Sequence, residues 1–375
     1  MCWLRPLRLL SVVGVLAGWG GVGFAQQYIF TNDNVANSGN STTALTVKGN
    51  GVLKVLKTYS TGGKSAGSGY FAVSTVTSAK TRLGTCLFVS NGGDSTIAAF
   101  QMNLFDGALK AVHGSPFKDG ASGAQPFGVG LAAGGHLLFA GNTNTNSVSV
   151  LRINSGCSLT LLKMTTIPSS PAGMKATPNG DYLITAYIGQ VDSFKVDSMT
   201  GDLTELGPFK TQGSAAGVEI NCDGTTAYFG DAATNTEVEV FSISSSGDLK
   251  ELNNFTNKNG QSSDNVMLSV DGTHLYVSNT MSNQITTLSV GSNGALTYDS
   301  TVKLNKPGLY ALGLATGTSG LDVFVSEKTN PEAIGVLAAN GGTLKEVPGS
   351  PFPVMKTAPI RLGSPQYRRL ARLNK

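Results

Sequence analysis

The chain has 375 residues, with 27 Lys and Arg against 23 Asp and Glu for a formal net charge of +4, and only 13% of it is charged. Arg5 and Arg8 fall in a leader-like start, so the rest is close to neutral and holds no general electrostatic attraction for nucleic acid. Its 48 Gly, with abundant Ser, Thr and Asn, suit turns and strands and offer little for helices.

Residues 1–25 combine Arg5 and Arg8, an apolar run from Leu9 to Leu16 and small residues ending at Ala25. That order predicts a secretory signal peptide, because the apolar core is too short to span a bilayer. An uncleaved amino-terminal anchor is the alternative. The mature product, residues 26–375, is then secreted, periplasmic or held at the cell surface, with no membrane span after cleavage.

From Gln26 onward one unit recurs. Its cleanest copy runs from Asn265 to Thr297: an apolar run Val266 to Ser269, the turn pair Asp271-Gly272, a second run Leu275 to Val277, an alternating stretch Ile285 to Val290, the turn Asn293-Gly294, then Leu296. Short period-two runs rich in Val, Ile and Tyr, punctuated by Asp-Gly and Asn-Gly, predict a four-stranded antiparallel meander.

Two markers count the copies. Gly-x-Leu opens the fourth strand at Leu53, Leu109, Leu203, Leu249, Leu296 and Leu344, and a further copy, Gly156-Cys157-Ser158-Leu159, reads as carrying one extra residue. An apolar or aromatic stretch, a small residue and then Asn or an acid end at Asn32, Asn91, Asn142, Asp231, Asn279 and Glu327, with Leu183-Ile184-Thr185-Ala186 as the degenerate copy. The ends of this second marker are 59, 51, 44, 45, 48 and 48 residues apart. A period in the forties with four short strands per repeat is the signature of a beta-propeller blade. The sequence therefore predicts an all-β, seven-bladed beta-propeller of four-stranded blades, a single domain.

The chain enters at Gln27 to Phe30, a second strand, which leaves the first blade without its innermost strand. Pro359 to Pro365 reads as an innermost strand running into its turn. An unpaired inner edge would strand backbone donors and acceptors, so the carboxy-terminal segment is expected to complete the first blade and close the ring.

The repeat ends in Asn, the Asp-Gly turns and the Gly-x-Leu turns together resemble the lactonase family of seven-bladed propellers, which includes propeller-type 6-phosphogluconolactonases, and the related surface-layer YVTN repeat proteins. The resemblance covers the whole mature chain and implies a lactone hydrolase. It also implies Pro-His and Arg-His pairs at the mouth of the central channel, ahead of the Asp-Gly turns. This chain has Pro126-Phe127, Ala172-Gly173, Ala216-Gly217, Asp264-Asn265 and Leu312-Gly313 there, without His.

Little other chemistry is legible. His136 and His274 fall in turns between first and second strands and His113 in a fourth strand, with no metal-ligand spacing. Gly63-Lys64-Ser65-Ala66-Gly67 matches a nucleophile elbow in pattern but lacks the following helix that gives it meaning; it reads as part of a flexible loop from Ser60 to Gly69, and Asn32 to Asn40 reads as another. No stretch has the carboxylate density of a calcium loop. After Cys2 leaves with the leader, Cys86, Cys157 and Cys222 stand at unrelated repeat positions, which argues against a disulfide framework. No cofactor is implied.

The residues expected on or just before the innermost strands, and so candidates to line the channel, are Gln125, Lys175, Glu219, Asp264, Asn265, Tyr310 and Arg361. No catalytic constellation is recognisable among them. The first functional expectation is thus a secreted, monomeric binding or surface-interaction module with a protein or carbohydrate partner. The second is a lactonase that takes a small sugar lactone in the channel.

Overall fold

The computed structural model describes residues 26–33, 39–66, 75–120, 126–131, 136–232, 238–256, 262–305, 311–317, 319–327, 333–354 and 361–363. The leader expected at 1–25 lies outside them.

Strands β1 (Gln27–Asn32), β2 (Gly39–Val47) and β3 (Leu53–Lys64) form the first antiparallel meander. The second is β4 (Val76–Thr81), β5 (Gly84–Asn91), β6 (Thr96–Met102) and β7 (Leu109–Ala111), with the short β8 (Phe117–Lys118) also on β6. The third is β9 (Pro126–Leu131), β10 (Leu137–Asn142), β11 (Ser147–Ile153) and β12 (Leu159–Thr166). Next, β13 (Gly173–Ala176), β14 (Tyr182–Val196), β15 (Leu203–Ile220), β16 (Thr226–Asp231), β17 (Val238–Ile243) and β18 (Leu249–Phe255) make one six-stranded sheet. The repeat read as the cleanest follows as β19 (Ser263–Leu268), β20 (His274–Asn279), β21 (Gln284–Val290) and β22 (Leu296–Lys303). Then come β23 (Ala311–Thr316), β24 (Asp322–Glu327), β25 (Ala333–Asn340) and β26 (Thr343–Glu346), with β27 (Phe352–Pro353) on β25. Finally β28 (Arg361–Gly363) pairs with β1, placing Phe30 opposite Gly363 and Asn32 opposite Arg361.

This is an all-β propeller, and among the described residues it has six hydrogen-bonded sheets. The six-stranded sheet departs from the four-stranded unit because β15 changes partner midway, pairing with β14 up to Ser214 and with β16 from Ala215. It also folds back on itself: Ile184, Ala186 and Val191 of β14 pack against Ala227, Phe229 and Phe241 of β16 and β17.

Apolar layers between successive sheets hold the molecule together. Tyr28 and Phe30 pack against Leu87 and Val89, and at the far end of the chain Phe324, Ile334 and Val336 pack against Ile29, Leu45 and Val47 of the first sheet. Each buried Val, Leu, Ile or Phe contributes about 1.5–3 kcal/mol. The alternation of the second and third strands thus feeds two layers at once.

The fourth-strand marker has a backbone cause. Gly51, Gly107, Gly201, Gly247 and Gly294 have φ of 78°, 73°, 79°, 88° and 76°, left-handed values that glycine adopts without a steric cost. The copy read as carrying an extra residue has none: Cys157, two residues before Leu159, takes that place with φ 69°. A side chain there costs about 1–2 kcal/mol.

Cys157 is held there by a disulfide to Cys86, with Cα atoms 5.5 Å apart. This overturns the expectation of unconnected cysteines. Cys86 lies on β5 and Cys157 in the turn before β12, so they belong to neighbouring sheets, and both sit in the layer that contains Phe88, Leu138 and Leu151. Linear spacing across repeats hides a contact made between them. Cys222 takes no part.

Two further expectations are corrected. Ser60 to Lys64 is the end of β3 rather than loop, because Thr61 Oγ1 donates to Asn40 O and Lys64 N donates to Asp94 Oδ2. His113 is in a turn after β7 rather than in a strand.

Candidate functional site

Strands β28, β4, β9, β13, the second half of β15, β19 and β23 are innermost, each against the next, and β23 also contacts β28. Ladder register ranks their residues. Lys175 stands opposite Ile184 and Glu219 opposite Tyr228, equivalent places in consecutive repeats. Thr77, Gly130, Met267 and Ala315 occupy the same level elsewhere, opposite Phe88, Phe139, Tyr276 and Phe324.

At that level the two charged residues meet. Lys175 Nζ lies 2.5 Å from Glu219 Oε1, with the lysine side chain 31% and the glutamate 6% exposed. Glu219 Oε1 also accepts the Ile220 N–H at 3.1 Å. The pair offers a cation with donors to spare beside an acceptor that is nearly dry.

Just ahead of this level the inner strands bulge. The register shifts between Gly141 and Asn142 opposite Phe127, between Ala215 and Val218, between Ser263 and Asn265, and between Ala311 and Leu314. Each bulge falls on a dipeptide singled out by the family resemblance, and bulges re-aim side chains next to functional sites. Gly313 N, freed from the ladder, donates to Ser326 Oγ at 2.7 Å. At the bulge in β15, a Cβ on Gly217 would overlap Cα and Oδ1 of Asn265. Asn265 therefore lies over glycine, two residues from Glu219 along β15.

The expected channel residues thus divide. Lys175, Glu219 and Asn265 come together. Asp264 is buried at the bulge, with Ser262 Oγ 3.5 Å from its Oδ1. Arg361 is placed by its backbone in β28, opposite Asn32. Gln125 and Tyr310 lie outside the described residues.

A second polar set was not foreseen. Asn32, Asn91, Asn142, Asp231, Asn279 and Glu327, the ends of the second strands, are all buried. Asn91 Nδ2 donates to Thr96 Oγ1 at 3.0 Å, Asn142 Nδ2 to Ser149 Oγ at 2.8 Å and Asn279 Nδ2 to Thr286 Oγ1 at 2.8 Å, fastening the second strand to the third. In the degenerate copy the register puts Tyr187, one residue later than the sequence suggested, in this place; it is fully buried and accepts from Thr185 Oγ1 at 2.7 Å. The signal was in the repeated terminal Asn or acid, which served only as a marker.

Asp231 of this set forms an acidic pair with Glu239 of β17. Gln212 N and Gly213 N donate to Glu239 Oε1 at 3.0 and 3.3 Å, and Ser214 N donates to Asp231 Oδ1 at 3.0 Å. These are the residues at which β15 changes partner. Burial, with the Asp231 charge beside it, pushes the Glu239 carboxyl up to about 7.

The histidines stand elsewhere. His113 and His136 are exposed, and His274 opens β20 with Nε2 3.8 Å from Asp299 Oδ2. Among the described residues no group of His, Cys, Asp and Glu could hold a metal ion.

The family model described as "Lactonase, 7-bladed beta-propeller" matches residues 78–219 and 181–309, more than half of the chain. Among solved structures, a candidate 6-phosphogluconolactonase from Bacteroides fragilis is similar at 17% identity and TM-score 0.72, covering 92% of this chain and 99% of that one. A second, from Bacteroides uniformis, gives 16%, 0.73, 90% and 100%. The periplasmic gluconolactonase of Pseudomonas aeruginosa gives 18%, 0.72, 89% and 98%. At these identities the likeness is one of fold. No curated protein matches in sequence.

Proposed function

Because the chain belongs to the lactonase family of 7-bladed beta-propellers, we propose that it is an exported, seven-bladed lactone hydrolase with Lys175 and Glu219 as its reacting pair. The observation that carries this is the 2.5 Å approach of the two side chains at a level of the inner strands where Thr77, Gly130, Met267 and Ala315 bring no charge.

In this reading the six-stranded sheet is two blades that share β15, and β28 completes the first blade. Support comes from the change of partner between Ser214 and Ala215, from the core folded between the halves of that sheet and from the β28–β1 ladder. Export is supported by the leader-like start and by the Cys86–Cys157 disulfide, since such bonds persist in oxidising compartments. The fold likeness to a periplasmic gluconolactonase points the same way.

The chemistry needs only water. A lactone carbonyl seated between the two groups receives a hydrogen bond from the Lys175 ammonium, which stabilises the oxyanion as it forms. Glu219 takes a proton from the attacking water. The ring C–O bond then breaks, the leaving oxygen recovers the proton, and a hydroxy acid results.

A second reading, a binding module for a carbohydrate or protein partner, is favoured by the dipeptides at the four bulges, which lack the family's His. The deciding measurement is base uptake at constant pH by the mature protein across sugar and small aliphatic lactones, beside Glu219→Gln and Lys175→Met. Turnover above buffer that both variants lose supports the hydrolase. A flat trace from folded wild-type protein across the panel sinks it and leaves the binding module.

A further inference from the structure

Asn265 is buried, with 8% of its surface exposed. Its backbone carbonyl accepts from Ser278 Oγ, but among the described residues its side-chain amide has no hydrogen-bond partner. The residue lies immediately after the bulged Asp264, and its Oδ1 comes close to where Gly217 would carry a Cβ. Gly217 and Glu219 are two apart on β15, so they share a face of the strand. The open amide and the Lys175–Glu219 pair therefore border the same space.

An amide offers two donors and an acceptor, the complement of a hydroxyl beside a carbonyl. The charge around it is restrictive. Glu219 brings a carboxylate, and the one ammonium, that of Lys175, is paired with it at 2.5 Å. The pair therefore offers no net positive charge to hold a phosphate in a poorly solvated site.

We infer that the site takes an uncharged polyhydroxylated lactone and that Asn265 binds a ring hydroxyl next to the carbonyl held by Lys175 and Glu219. The inference rests on the lactone reading of that pair. It makes Asn265 a specificity residue, and it separates this site from one built for a phosphorylated sugar lactone.

The test is calorimetric binding of three lactams, which keep the shape of a lactone and do not hydrolyse: glucono-1,5-lactam, its 6-phosphate and the unhydroxylated δ-valerolactam. Wild-type protein is expected to bind gluconolactam at least about tenfold more tightly than the 6-phosphate. Asn265→Leu is expected to weaken gluconolactam by about tenfold or more while leaving δ-valerolactam unchanged, because only the hydroxyl contact is lost. Asn265→Ser serves if the larger change prevents folding, and its loss should be smaller. Equal loss for both neutral lactams, or a 6-phosphate that binds as tightly, overturns the inference while the lactone reading stands. If no lactam binds and no lactone is opened, the lactone reading itself falls and the inference with it.

Discussion

Lys175 and Glu219, on the innermost strands of consecutive repeats, meet at 2.5 Å, with Glu219 almost wholly buried and Lys175 about a third exposed. Removing one member of a buried pair leaves an uncompensated charge and costs about 3–5 kcal/mol. Exposure of the lysine lowers that figure. Lys175→Met is therefore expected to cost about 2–3 kcal/mol in urea unfolding, and Lys175→Met with Glu219→Gln to recover much of it. Additive losses in the double variant would show that the two charges do not support each other.

The Cys86–Cys157 disulfide closes a sequence separation of 71 residues. Loop-closure entropy for that length corresponds to about 4 kcal/mol. The double variant Cys86→Ala, Cys157→Ala should lose stability of that order, and dithiothreitol should bring the wild type to a similar midpoint. Insensitivity of the midpoint to reductant would mean that the bond adds nothing to the layer it crosses.

The two cysteines also show which parts of the fold the sequence could reveal. Leu53, Leu109, Leu159, Leu203, Leu249 and Leu296 each open the strand expected of them, because the Gly-x-Leu marker encodes a local backbone requirement. Cys157 meets the same requirement at φ 69°, but its partner lies in another repeat, and no local pattern encodes that. Lys175, Glu219 and Asn265 were placed on inner strands from spacing alone. Their meeting depends on register and on the bulges, which are set between strands. Glu239 was missed because nothing repeats at its place in the third strand.

Glu239 has no exposed surface, and burial together with Asp231 raises its carboxyl from 4.5 to about 7, with Glu251 adding to the rise and the N–H groups of Gln212 and Gly213 opposing it. Between those two values the folded protein holds a proton that the unfolded chain releases. The contribution is full below about 4.5 and is lost as the pH rises through about 7. Asp192, raised to about 6 by burial and by Glu205, acts in the same direction. The urea midpoint should therefore fall from pH 5 to pH 8, and Glu239→Gln should flatten most of that fall. An unchanged slope in the variant would remove Glu239 as its source.

A Cβ on Gly213 would overlap the Asp231 carboxylate, and one on Gly63 would overlap the Asn91 amide. Both glycines make room for the buried polar end of a second strand in the next repeat. Gly213→Ala and Gly63→Ala are each expected to cost about 1–3 kcal/mol by overpacking. Gly156 has open space where its Cβ would be, so Gly156→Ala should stay within about 0.5 kcal/mol of wild type. Similar midpoints for all three would show that the second-strand ends yield to a methyl group.

The β28–β1 ladder joins residues more than three hundred apart through Phe30–Gly363, Thr31–Leu362 and Asn32–Arg361. Without β28 the inner edge of β1 keeps unpaired N–H and C=O groups, and β4 and β23 lose the strand that lies between them. Removing residues 358–375 should therefore lower the thermal midpoint sharply and expose β1 to protease. Removing only 364–375 spares the ladder and should change the midpoint little. The comparison isolates the ladder, because the two deletions differ by six residues, of which three carry it. If both truncated proteins unfold at the wild-type temperature, the ends of the chain are fastened by the Ile29–Phe324 layer rather than by β28.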